Sequence, residues 1–313
     1  MSWCKSVFQV KQLLVLCITL VLSNGLFSQQ VADTTYNPNI NSPEYKTGQG
    51  PVIFIDEGHF NFHTKDGRYT AFSRLLERDG YVVKAYKGIV DKHRLSEGKI
   101  LVIANALNEV NVGNWSLPTP SAFTPDEIEE IRTWVETGGS LFLIADHMPM
   151  AGAAEALAKA FDFKFTNGFV MDTVSRGPAV FNVKEKTLIK SPIVTGRNTS
   201  ESVEQVVSFT GQAIEIPDDA TSILKLSANY INMLPERAWQ FDENTTSYGV
   251  EGWSQGAYKT YCKGKIVVFG EAAMFTAQLA GAQKMKVGMN HPAAPENYQL
   301  LLNIIHWLDG RLE

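Results

Sequence analysis

Residues 51–64, PVIFIDEGHFNFHT, set four consecutive apolar residues directly before a burst of acids and imidazoles. A strand covered on both faces reads as a short continuous apolar run, whereas a half-exposed strand alternates. The run 52–55 is therefore a buried parallel strand. Residues 99–104 (KILVIA), 140–145 (SLFLIA) and 265–269 (KIVVF) repeat the pattern. Such a set requires a layered α/β fold with helices on both faces of a sheet.

The intervening segments supply those helices. Tyr69, Phe72, Leu75 and Leu76 form a helical stripe that ends at Gly80. Thr124-Pro125-Asp126-Glu127 is a strong helix start, with Thr as N-cap, Pro in the first turn and acids facing the dipole. Residues 151–160, 272–280 and 296–308 are expected to be helical. Residues 81–85 form a further strand, and Cys262-Lys263-Gly264 a hairpin turn. Between 161 and 250 the rhythm changes to short strands separated by Gly, Pro, Asn and Thr. This segment is expected as a β-rich insertion in one domain spanning 51–313.

The N-terminus implies export. Lys5 and Lys11 precede an apolar run at 13–22, too short to cross a bilayer and suited to a signal peptide. Cleavage is expected after Ser28, followed by a flexible leader over 29–50. The mature chain would be periplasmic or secreted, with no later membrane span. The net charge is −5, and −7 without the two lysines of the signal segment, which disfavours nucleic acid as a partner. Of Cys4, Cys17 and Cys262 only the last would survive cleavage. It is expected to be a buried small hydrophobe, and stability must come from a packed core.

Ligands of open α/β sheets gather beyond the carboxyl ends of the strands. Four such ends carry polar residues: Asp56-Glu57 with His59, Asn105, Asp146-His147 and Glu271. Acids close together split their pKa values and suit general acid-base work. The candidate catalytic set is Asp56, Glu57, His59, Asp146, His147 and Glu271. Imidazoles and carboxylates also suit a divalent metal such as Zn, Mn or Fe, with His59, His63, Asp146 and His147 as ligands. The competing reading of Asp56 is that it caps the turn after its strand, and that of Asp146-His147 is a cap for the helix at 151–160. Trp115, Trp239 and Trp253 lie in loop-like segments and could stack on a sugar.

Three stretches together, VIFIDEGHFNFHT, TPDEIEEIRTWVETGGSLFLIADH and GKIVVFGEAAMF, resemble the class I glutamine-amidotransferase-like superfamily, in particular exported, uncharacterised bacterial branches. The resemblance implies a flavodoxin-like, mostly parallel sheet. The amidotransferases carry a Cys in the turn after the strand at 140–145, where this chain has Asp146-His147. Their His-Pro-Glu motif is here His291-Pro292-Ala293, with Glu296 further on. The resemblance thus implies the fold without glutaminase activity. Two functions follow from the polar rim: hydrolysis of a polar small molecule or saccharide, with or without a metal, or non-catalytic binding of such a ligand.

Overall fold

The computed structural model describes residues 30–313. The expected signal peptide at 1–28 lies outside the described residues. The strands are β1 (Gln30–Ala32), β2 (Val52–Asp56), β3 (Val82–Tyr86), β4 (Ile100–Ala104), β5 (Ser140–Ile144), β6 (Lys164–Phe165), β7 (Phe169–Asp172), β8 (Ala179–Asn182) and β9 (Gln205–Ser208). They continue as β10 (Ile214–Glu215), β11 (Thr221–Lys225), β12 (Tyr230–Leu234), β13 (Thr246–Gly249), β14 (Ser254–Tyr261), β15 (Gly264–Phe269), β16 (Ala277–Ala280) and β17 (Met285–Gly288). The longer helices are α1 (Thr70–Arg78), α2 (Pro125–Glu136), α3 (Met150–Lys159) and α4 (Asn297–Asp309).

A nine-stranded mixed sheet carries the fold, in the order β3-β2-β4-β5-β15-β14-β10-β6, with β11 also on β14. The first five of these strands run parallel. β14 returns antiparallel to β15 through the expected hairpin, where Tyr261 pairs with Gly264. The fold is therefore α/β with a mostly parallel centre.

The apolar runs are continuous because each strand feeds two cores. Ile53, Ile55, Ile100, Val102, Phe142 and Ile144 pack with α1 and α4. Phe54, Leu101, Ile103, Leu141 and Leu143 pack on the other face with α2 and α3. α2 starts as its sequence requires: Thr124 Oγ1 accepts from Glu127 N, and the Glu127 side chain returns to Thr124 N as a capping box.

Three expectations differ from the structure. The segment at 30–50, expected as a flexible leader, contributes β1, which pairs with β16, and Tyr45, whose ring packs edge-on to Tyr81. Residues 272–280 are not a helix. A short 3₁₀ turn, Ala273–Phe275, gives way to β16, which finds partners on both edges in β1 and β17. Tertiary pairing overrides the helix propensity of alanine there. Cys262 is exposed in the hairpin turn with φ 51°, so it is not a buried hydrophobe. Residues 161–250 hold β6 to β13. They form a three-stranded antiparallel sheet (β13-β12-β7), the pair β8-β9, and strands that extend the main sheet.

Candidate functional site

β2, β4, β5 and β15 are parallel neighbours, so their carboxyl ends share one rim. Asp56, Asn105, Asp146 and Glu271 all lie at or just beyond those ends. The rim separates into two clusters with different chemistry.

The first cluster is closed. Asp56 is fully buried at the end of β2. His59 Nδ1 lies 2.9 Å from Asp56 Oδ2, and its Nε2 lies 3.0 Å from Glu127 Oε1. Asn61 Nδ2 and Gly58 N also donate to Asp56, at 2.8 and 3.1 Å. Glu127 takes further hydrogen bonds from Val90 N (2.9 Å) and from Thr124 N and Oγ1 (3.0 and 2.9 Å). Burial pulls the His59 pKa down, but the Asp56 and Glu127 carboxylates outweigh it and hold it above the usual histidine value. Burial likewise opposes ionisation of Glu127, yet its backbone donors and His59 keep its pKa below the usual range. Both ring nitrogens of His59 are therefore committed. The cluster ties the loop after β2 to the start of α2, and His59 also rests on Phe123 with ring centroids 4.3 Å apart. Glu57 is similarly occupied, since its Oε1 accepts from Lys65 N at 2.8 Å.

The second cluster is open. Asn105, at φ 49°, turns its amide oxygen to accept from Asp146 N at 2.8 Å. The left-handed conformation suits Asn better than most non-glycine residues. Asp146 Oδ1 accepts from His147 N at 2.9 Å, and Asp146 is only partly buried. Glu271 sits behind it, 1% exposed, and accepts from Ala273 N (2.9 Å) and Met274 N (2.7 Å). Burial first, and the Asp146 charge second, push Glu271 well above the usual carboxylate range against those two donors. The buried Tyr69 phenol is raised by burial and by the same two carboxylates.

His147 closes the open cluster on one side. Its Nδ1 donates to Met148 O at 2.6 Å, so Nε2 holds the lone pair whenever the ring is neutral. The ring stacks on Phe169 at 4.2 Å and meets the Trp239 edge at 4.8 Å, with Trp115 at 6.1 Å. Trp239 is 47% exposed and held at φ 66°. It borders a cleft of about 330 Å³ whose polar lining includes Asp172, Arg176, Thr210, Tyr230 and Gln255. Gly211, the residue after Thr210 of the lining, lies close to Glu271, since a Cβ there would stand 3.0 Å from Glu271 Cβ.

The expected metal set does not assemble. His59 is held by Asp56 and Glu127, while His147 is stacked in the aromatic group. His63 is buried against Tyr69, and burial with the nearby Arg68 charge lowers its pKa to about 3. No group of three or more His, Cys, Asp or Glu side chains among the described residues is placed to hold a metal ion. Of the candidate catalytic residues, Asp146, His147 and Glu271 share the open cluster, whereas Asp56, Glu57 and His59 serve the loop. Glu127 escaped sequence reasoning as a rim residue. Its capping-box position was legible, but its second task, holding His59, links residues far apart in the chain. Trp253 packs near Tyr248 and Lys164 rather than in the aromatic group of His147. Cys262 lies at the opposite end of β15 from Glu271.

No family model and no curated protein matches the sequence. Solved structures do match the fold. The mmIFT52 N-terminal domain aligns with 82% of this chain and 96% of its own at TM-score 0.56 and 12% identity. A ThuA-like protein from Bacteroides uniformis aligns with 88% of this chain and 94% of its own at TM-score 0.45 and 14% identity. A cytoplasmic protein from Salmonella typhimurium aligns with 82% and 98% at TM-score 0.47 and 16% identity. At 12% identity the likeness to the mmIFT52 domain concerns the fold alone. Among the described residues no helix is long and apolar enough to cross a membrane.

Proposed function

We propose that this protein is an exported member of the glutamine-amidotransferase-like fold group that binds a polar small molecule or saccharide at the open half of the rim. One observation carries the reading: Trp239 is half-exposed over a polar-lined cleft, beside the stacked His147 and Phe169. A flat aromatic face accepts the apolar face of a sugar ring, while carboxylate, amide and hydroxyl groups receive its hydroxyls. The lysines and apolar run of the N-terminal segment support export.

Hydrolysis is the second reading, and the carboxyl pair favours it. Burial and the Asp146 charge favour the protonated form of Glu271, and His147 follows Asp146 in the same turn. A protonated acid beside a base is the arrangement that general acid-base hydrolysis needs. Calorimetric titration with neutral and charged mono- and oligosaccharides tests binding. Saturable heat that Trp239→Ala abolishes at an unchanged melting temperature supports the site. Heat that Trp239→Ala leaves intact places the ligand elsewhere. Product formation that Asp146→Asn stops would select hydrolysis over binding alone.

A further inference from the structure

The loop after β2 ends in a cation that neither reading has used. Arg68 is half-buried, and no carboxylate among the described residues lies within ion-pair distance of it. Its single hydrogen bond there is a long one, from Nη1 to Phe62 O at 3.5 Å. Its Nε is sealed from solvent and has no partner. The guanidinium sits over the Phe62 ring, with Cζ 3.7 Å from the centroid. Phe62 in turn meets Trp115 edge-on at 5.5 Å, and Trp115 faces His147. Arg68 thus stands on the Trp115 side of the open cluster.

A buried donor without a partner is costly, and a guanidinium presents a planar fork suited to an oxyanion. The adjacent His63 repeats the deficit, because its Nδ1 is also buried and unpartnered. Other cations in this protein have taken acids: Arg197 holds Glu44 and Glu201, and Arg132 holds Glu129 and Glu136. Cation–π stacking on Phe62 orients the Arg68 fork but leaves its charge unneutralised. On the opposite side, Glu271 favours its neutral form, which limits the negative charge that the rim would turn against an anion.

We infer that Arg68 is the anion-recognising residue of the rim, and that the natural ligand carries an oxyanion, a carboxylate or a phosphate, alongside its hydroxyls. The inference rests on the saccharide-binding reading but reports on a different residue. The test compares glucose, glucuronate and glucose 6-phosphate by calorimetry, on the wild type, Arg68→Gln and Arg68→Lys. Unfolding midpoints serve as the fold control. A charge-assisted, forked contact predicts about tenfold tighter binding of one charged sugar than of glucose. Which one binds tighter separates a carboxylate from a phosphate ligand. Arg68→Gln should erase that preference while leaving glucose binding unchanged, and Arg68→Lys should retain part of it. A purely structural Arg68 would instead weaken all three sugars together, and that overturns the inference. Equal binding of the three sugars by the wild type also overturns it and leaves the saccharide reading standing. Should no sugar bind, titration of acetate and inorganic phosphate against the Arg68 Nε–H resonance decides: a saturable shift keeps the anion site and rejects the saccharide, and no shift rejects both.

Discussion

Replacing His59 with Gln tests whether the Asp56–His59–Glu127 cluster braces the fold. Breaking a buried ion pair by removing one partner costs roughly 3–5 kcal/mol. Here the stranded carboxylates keep other donors: Asn61 and Gly58 on Asp56, and Val90 and Thr124 on Glu127. Those donors lower the expected loss to about 2–4 kcal/mol at pH 5.5. The pH dependence follows from the direction of the His59 shift. Its folded pKa is raised, so its contribution is fully present below the unfolded value of about 6.5 and fades as pH rises through the folded value. Glu127 is shifted down, so its contribution holds above its ordinary range and fades only in acid. Urea unfolding of both proteins at pH 5.5 and 8.5 should therefore show a smaller gap at the higher pH. A gap that is equal at both values, or below about 0.5 kcal/mol at pH 5.5, refutes the brace, since surface changes typically fall within that range.

Other expectations follow from the same structure. Asp146→Asn removes the like charge beside Glu271 and should lower the Glu271 pKa, measurable by carbon-13 carboxyl titration. A carboxyl whose pKa is raised in the folded state loses stability from its unfolded value up to its folded value, so Asp146→Asn should end that loss at a lower pH and be the more stable protein on the alkaline side. Thr124→Ala removes the cap of α2 and one Glu127 partner, and a loss of about 1–2 kcal/mol should appear in denaturant unfolding. Gly264→Ala would push a Cβ to 2.1 Å from Val135 O and 2.3 Å from Gly139 O. Since both are backbone atoms, a loss of at least about 1–3 kcal/mol is expected, seen as a lowered melting temperature.

The parallel centre of the fold was legible because burial on both faces leaves a mark in the sequence. The runs at 52–55, 99–104, 140–145 and 265–269 needed no partner to be recognised as strands, and Thr124 to Glu127 announced α2 through local capping. β16 was not legible, because its strand character comes from β1 and β17 rather than from its own residues. The rim was located for the same reason as the strands, since it is a property of their ends. Division of labour along the rim was hidden. Asp56 and Asp146 look alike in sequence, yet Glu127 reaches across to occupy the first group, while Asp146 stays partly exposed beside His147. Only the spatial neighbours of each carboxylate distinguish them.

The ligand's position tests the central claim most directly. The chain has six tryptophans, and their indole N–H resonances report on separate places. Trp134 and Trp307 are buried in the two cores and serve as internal references. Titrating the protein with a bound saccharide should shift the Trp239 and Trp115 signals saturably and leave Trp134 and Trp307 still. Saturable binding that leaves Trp239 and Trp115 unmoved would contradict a ligand site at the open half of the rim.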